Sequence, residues 1–179
     1  MKPFSIDHYL GKELVFDLTG SPEELTYVGV LDSFNWLTRH NSKLSIPQDD
    51  DIENGIKHIQ KVIKTLYKYD DSRLSDIQKN TKKIAIFDYE NQLKELQYFP
   101  YLDYPLNQIG GIHLNLIEFM NSVHPIRSKS EANDFIKRTD LVKEVYQGTL
   151  NHLEDQAENG IYPPAVSYTH LRAHETRSD

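Results

Sequence analysis

Two histidines four residues apart, His170 and His174 in the stretch HLRAH, are the pair in this chain whose spacing most resembles a metal site. On a helix that spacing puts both imidazoles on one face, as a zinc ion requires. Hydrolysis at such a zinc also needs a glutamate directly after the first histidine, to deprotonate the bound water. That position is Leu171, and Glu175 follows the second histidine, where it points elsewhere. The pair is therefore read as carrying no metal. His113 and His124 flank one predicted helix, too far apart to share an ion on a single turn and with no third ligand nearby, so both are read as surface or capping residues. No residue is assigned as catalytic, cofactor-binding or metal-ligating.

Three other groups allow a functional reading beside a plainer one. Gly110-Gly111 before a helix could offer free N–H groups to an anion, but a tight turn is the commoner use of paired glycines. Tyr98, Phe99, Tyr101 and Tyr104 could line a peptide-binding cleft; packing against the flanking helices is preferred, given their large apolar area. Asp49-Asp50-Asp51 could attract a cation, yet it reads better as the solvated start of a helix. Cysteine is absent, which removes disulfides, thiolate zinc sites and cysteine nucleophiles together.

The elements that would position these residues are helical. Ser21-Pro22-Glu23-Glu24 supplies a cap, a first-turn proline and an acid three residues after the cap, predicting a short helix that ends near Gly29. Asp49–Asp51 opens a longer helix in which Ile52, Ile56, Ile59, Val62, Ile63 and Leu66 recur at helical spacing. Its antiparallel partner starts at Ser75, with Gln78 completing a capping box, and carries Ile77, Ile84, Phe87, Leu93 and Leu96 toward Tyr98. YFPYLDYP is expected as an extended aromatic connector, since each proline disfavours helix before it. A helix after Gly111 uses Leu114, Ile117 and Met120 and stops at His124, ahead of Pro125. Ser128 and Glu131 open a short helix through Phe135 and Ile136. A separate last helix runs from Thr139 or Asp140 through Leu141, Val145, Leu150 and Leu153 to Gly160, with Pro163-Pro164 beyond. No strand is predicted, and the fold class is all-α, an irregular bundle of about five or six helices.

The totals fit one domain of ordinary size: 179 residues, 38% hydrophobic and 26% charged, with a mean hydropathy of -0.61. A net charge of -7 without a basic, aromatic-interleaved face argues against nucleic acid. Asp7, His8, Lys12 and Glu13 interrupt the N-terminal apolar residues, so no signal peptide, membrane span or membrane partner is expected and the cytoplasm is the default compartment. Beyond Pro164 the character changes. AVSYTHLRAHETRSD lacks apolar periodicity and resembles translated sequencing adapter. The reading is thus a partial helical domain over 1–164 and a non-native, disordered tail over 165–179.

The body of the chain, roughly residues 20–164, resembles a bacterial family called domain of unknown function 885. The resemblance rests on SPEELTYVGV at Ser21–Val30, DDSRLSDIQKNTKKIAIFDYENQL at Asp70–Leu93, YPLNQIGG at Tyr104–Gly111, FMNSVHPI at Phe119–Ile126 and DFIKRTDLVKEVYQGTLNHLEDQAENGIYPP at Asp134–Pro164. It implies a gluzincin-type zinc metallopeptidase-like protein, a hydrolase, of which this chain is the N-terminal part of a larger helical fold. There the zinc motif, a His-Glu-x-x-His helix with a later glutamate, lies C-terminal to the residues present. The implied cofactor of the full-length protein is zinc, with none held by this chain. The implied partners are the remaining C-terminal part of the same protein and a peptide substrate. The chain alone is then expected to be inactive and marginally stable; a non-catalytic helical interaction module is the alternative.

Overall fold

The computed structural model describes residues 5–31, 34, 36, 39–101, 104–106 and 110–162. Among them the chain is all-α: six α-helices joined by 3-10 and π turns, no strand, and one isolated bridge between Leu106 and Gly111. Contacts divide it into two compact units, Met1–Leu18 with Asp50–Leu102 and Thr19–Asp49 with Asp103–Asp179. No described helix is long and apolar enough to cross a membrane.

The first unit holds α1 (Ile6–Gly20), α3 (Asp51–Leu66) and α4 (Asp76–Tyr98). The sequence reading did not include α1, because the charges that rule out a signal peptide also interrupt its apolar period. Its signal lies instead in a cap and a stripe. Ser5 Oγ accepts from the Asp7 N–H at 3.2 Å, and Ile6, Tyr9 and Glu13, at i, i+3 and i+7, turn inward. In α3 the expected stripe is in place, with Ile59, Val62 and Leu66 buried.

α4 opens on the expected capping box: the Gln78 N–H donates to Ser75 Oγ (3.3 Å) and the Ser75 N–H to Gln78 Oε1 (3.1 Å). It runs antiparallel to α3, since Gly55 near the start of α3 lies against Leu96 near the end of α4. The predicted apolar face needs correction. Ile77, Ile84 and Phe87 are 79%, 69% and 68% exposed, because they fall on the opposite side of the helix from Lys82, Ala85, Ile86, Tyr89, Leu93 and Leu96. That second set is the inward one. Ala85, Ile86 and Tyr89, with Leu10 and Leu74, close over the buried cluster Ile6, Tyr9, Val62, Leu66 and Tyr69.

The second unit holds α2 (Pro22–Val28), a 3-10 turn at His40–Ser42, α5 (Ile112–Glu118), a π turn at Phe119–Val123, and α6 (Lys129–Glu158). α2 follows its sequence signals: Ser21 Oγ accepts from the Glu24 N–H at 3.2 Å, and Gly29 closes the helix at φ 69°. The two helices expected between Ser128 and Gly160 are one, 30 residues long. Neither proline nor glycine interrupts Ile136–Asp140, and the Thr139 hydroxyl donates back to the Phe135 carbonyl (3.0 Å) instead of capping a new helix. Along α5 and the π turn after it the inward residues are Leu116 and Met120; Leu114 and Ile117, expected inside, are exposed. Leu44, Leu116, Met120 and Val145 form the buried cluster, with Ile46, Ile112, Phe119, Phe135, Leu141 and Val142 packed on it.

Candidate functional site

Arg138 is the most informative polar residue of the second unit, and sequence reasoning passed over it. It sits on α6 four residues after Asp134 and seven before Val145, on the face that α6 turns inward, and it is 0% exposed. A guanidinium there must place its donors on fixed acceptors, because an unpartnered buried charge costs several kcal/mol. Three segments supply them. Nε donates to the Lys43 carbonyl at 2.8 Å, and Nη2 donates to the His40 carbonyl at 2.8 Å and to Thr26 Oγ1 at 2.6 Å. The Pro22 carbonyl lies 3.4 Å from Nη2. Nη1 lies 2.7 Å from His124 Nδ1. One side chain on α6 thus ties together α2, the His40–Ser42 turn, and the residue that ends the π turn.

The surrounding groups complete the hub. Thr26 Oγ1 lies 2.9 Å from both the Pro22 carbonyl and Asn41 Oδ1, and donates its single proton to one of them while accepting from Arg138. The Phe119 ring sits 4.8 Å from the guanidinium carbon, a cation–π contact that offsets part of the lost hydration. Glu23 accepts from the Ser45 N–H and hydroxyl, both at 2.7 Å, and so holds α2 to the segment after the turn. Among the described residues no hydrogen bond of Arg138 goes to a carboxylate. Burial pushes its pKa down to about 10, with Glu23 and Asp134 pulling it back up, so the group remains cationic at neutral pH.

His124 has its tautomer set by this partner. A guanidinium only donates, so Nδ1 must be the bare nitrogen and the proton resides on Nε2, which lies 3.2 Å from the Glu131 carbonyl and donates to it. The ring also meets Phe135 edge-on at 5.3 Å. Burial lowers its pKa; Arg138 lowers it further, against the opposing pull of the Glu131 carbonyl, Asp134 and Glu131. The π turn has a role in this arrangement. Its i to i+5 bond, from the His124 N–H to the Phe119 carbonyl (3.0 Å), closes the turn whose two ends supply the ring under Arg138 and the imidazole beside it.

The first unit has its own polar group. Glu13 Oε2 lies 3.2 Å from His58 Nε2, without the alignment of a hydrogen bond, and Phe16 stacks on the His58 ring at 4.5 Å. Burial raises Tyr9 and Tyr89 to about 12, with Glu13 acting on both in the same direction. Lys82, also buried, donates to the Tyr69 carbonyl (2.6 Å) and to Asp71 (2.7 Å).

The residues singled out from sequence are not brought together. His124 has both nitrogens committed as above. His113 stands half-buried in the first turn of α5, its Nδ1 buried and without a hydrogen-bond partner among the described residues. Gly111 takes φ 138°, a conformation that favours glycine, and the Ile112 N–H closes a loop onto the Pro105 carbonyl at 3.0 Å; this is the tight-turn reading. Tyr98 and Phe99 are exposed, while Tyr101 and Tyr104 are half-buried. Asp49–Asp51 are exposed, and Asp50 engages Asn54 at 2.9 Å rather than a cluster of acids. His170 and His174 lie outside the described residues. Among the described residues no group of three or more His, Cys, Asp or Glu side chains is placed to hold a metal ion.

No curated protein and no solved structure matches the chain. A family profile does, over residues 22–175. It covers the whole arginine hub and runs past Pro164 into the stretch set aside from the sequence, which lies outside the described residues. On that match, the chain belongs to the family described as bacterial protein of unknown function, DUF885.

Proposed function

We propose that this chain is the helical N-terminal part of a zinc-dependent, peptidase-like hydrolase. In this reading the zinc-binding His-Glu-x-x-His segment and its later glutamate lie further along the reading frame, and the helices described here support the elements that carry them. The observation behind the reading is the family match over residues 22–175, together with the ordered landmarks from Ser21 to Pro164. The chemistry divides accordingly. Two histidines and a carboxylate of that later segment would hold the metal, which would supply activation of a water for hydrolysis, and the role of the present residues would be structural.

The experiment is a paired zinc and hydrolysis assay on this chain and on the protein made from an extended reading frame. The extended protein is expected to hold one zinc per chain and cleave peptides in a chelator-sensitive way, and this chain to do neither. Stoichiometric zinc with peptide hydrolysis by this chain alone would overturn the assignment of roles. A complete frame without the motif would favour the second reading, a non-catalytic helical interaction module. What supports that second reading is the exposed stripe of Ile77, Ile84, Phe87 and Tyr98 along one side of α4.

A further inference from the structure

We propose that His124 and Arg138 form a proton-sensitive latch, in which protonation of His124 releases α6 from the His40–Leu44 segment and from α2. Arg138 Nη1 and His124 Nδ1 are 2.7 Å apart, Arg138 is fully buried, and His124 is nearly so. That contact exists in only one protonation state, because a guanidinium has no lone pair to offer an N–H. Protonated His124 would present a donor to a donor and a second cation to a buried one, at a separation where the repulsion is large in a low-dielectric interior.

The charged groups around the ring do not neutralise this. On α6, Glu131 offers His124 its backbone carbonyl at 3.2 Å, while its carboxylate receives the Arg127 N–H (2.6 Å) and guanidinium (2.8 Å). Asp134, also on α6, is paired with Lys137 at 3.3 Å. From α2, Glu23 is committed to Ser45. From the 3-10 turn and the residue after it, His40 and Lys43 contribute carbonyls to Arg138. Phe119 and Phe135, which also lie against the pair, are rings. Among the described residues, the two carboxylates that act on His124, those of Glu131 and Asp134, are therefore each engaged elsewhere.

The mechanical consequence follows from what Arg138 holds. Its donors fix the Lys43 and His40 carbonyls and Thr26, so a guanidinium displaced from His124 loosens three attachments at once. The sign is that of a histidine held below its ordinary pKa: the folded state resists a proton that the unfolded chain accepts. Stability is full above about pH 6.5 and declines as pH falls below it.

The test uses the full chain. Backbone hydrogen exchange, corrected for its intrinsic pH dependence, is followed from about pH 7.5 to about pH 5, a range that brackets the ordinary histidine pKa of ~6.5. Protection at residues 40–44 and along α6 near Arg138 is expected to fall tenfold or more, while the α3–α4 pair stays unchanged. His124→Asn sets an amide oxygen, which does not titrate, at the Nδ1 position, and should abolish the pH effect; His8→Asn, at an exposed histidine of α1, should leave it intact. Should the His124 variant fail to fold, the His124 ring resonances of the unaltered chain decide the matter. Titration below the other histidines, together with the loss of protection, supports the latch. Titration at or above the ordinary range with protection unchanged overturns it.

Discussion

The two units bury a cation in opposite ways. In the first, Lys82 lies along the packed face of α4 and extends its ammonium to Asp71, a carboxylate 58% exposed, and to one carbonyl. In the second, Arg138 is enclosed completely and satisfied by carbonyls, a hydroxyl and an imidazole from α2, the 3-10 turn and the end of the π turn. A lysine that reaches outward can exchange its partners for water. An arginine whose partners are all interior cannot, and its fixed fork makes it a connector between segments. The apolar clusters of the two units are of similar make, so the difference in polar design should govern how each one fails.

The largest expected effect separates these two cations. Arg138→Met leaves the His40 and Lys43 carbonyls and Thr26 without their donor and should cost roughly 3–5 kcal/mol, the range for breaking a buried charge network. Lys82→Met should cost only about 1 kcal/mol, since Asp71 rehydrates and the stem is replaced by another apolar one. Denaturant unfolding measured with a probe in each unit checks this. Equal costs for the two would remove the contrast on which the comparison stands.

A second effect opposes the units in pH. The acid side belongs to His124, as argued above. The alkaline side belongs to Tyr9 and Tyr89, whose hydroxyls burial raises to about 12. A phenol held above its ordinary value keeps its proton in the folded state while the unfolded chain releases it, so the stability involved is present below about pH 10 and lost as pH rises toward 12. For Tyr9 this amounts to at most roughly 2–3 kcal/mol, two pKa units at about 1.4 kcal/mol each. Tyr9→Phe should flatten the alkaline fall of the first unit without touching the acid fall of the second. Tyrosinate absorbance recorded alongside hydrogen exchange reads both; an alkaline fall confined to the second unit would contradict the assignment.

How much of this could be read from residue order depends on how far each signal reaches. Caps are local, and Ser21, Ser75 and Ser128 all mark helix starts that the structure contains. The stripe of α3 was legible because its isoleucines fall on one side. On α4 two apolar stripes run along opposite sides, and choosing the covered one requires knowing the neighbours; Lys82 and Ala85 on the covered face gave no hydrophobic signal. The break expected near Thr139 does not occur, because neither proline nor glycine interrupts the chain there and the hydroxyl bonds backward within the helix. Arg138 was hidden for a related reason. Charge suggests solvent, yet the residue keeps register with Phe135, Leu141 and Val145, and a cation in that register was the available clue. Its oxygen acceptors, separated from it by 95 residues and more, were not.

Glycines give the last and smallest contrast. Gly148 on α6 lies against the segment at Pro47, where a Cβ would meet the Pro47 carbonyl oxygen at 2.5 Å. Because the obstacle is backbone, Gly148→Ala should push the 46–48 segment off α6 at a cost of about 1–3 kcal/mol, typical of overpacking. Gly11 on α1 is exposed and has nothing within 4 Å of the same position. There alanine adds no clash, restricts the unfolded chain and improves helix propensity, so Gly11→Ala should stabilise the first unit by roughly 0.5–1 kcal/mol. The opposite signs are the useful part. If thermal unfolding showed Gly148→Ala to be neutral, the close approach of residues 46–48 to α6 would be lost, and with it the reason that the loop carrying Lys43 stays within reach of Arg138.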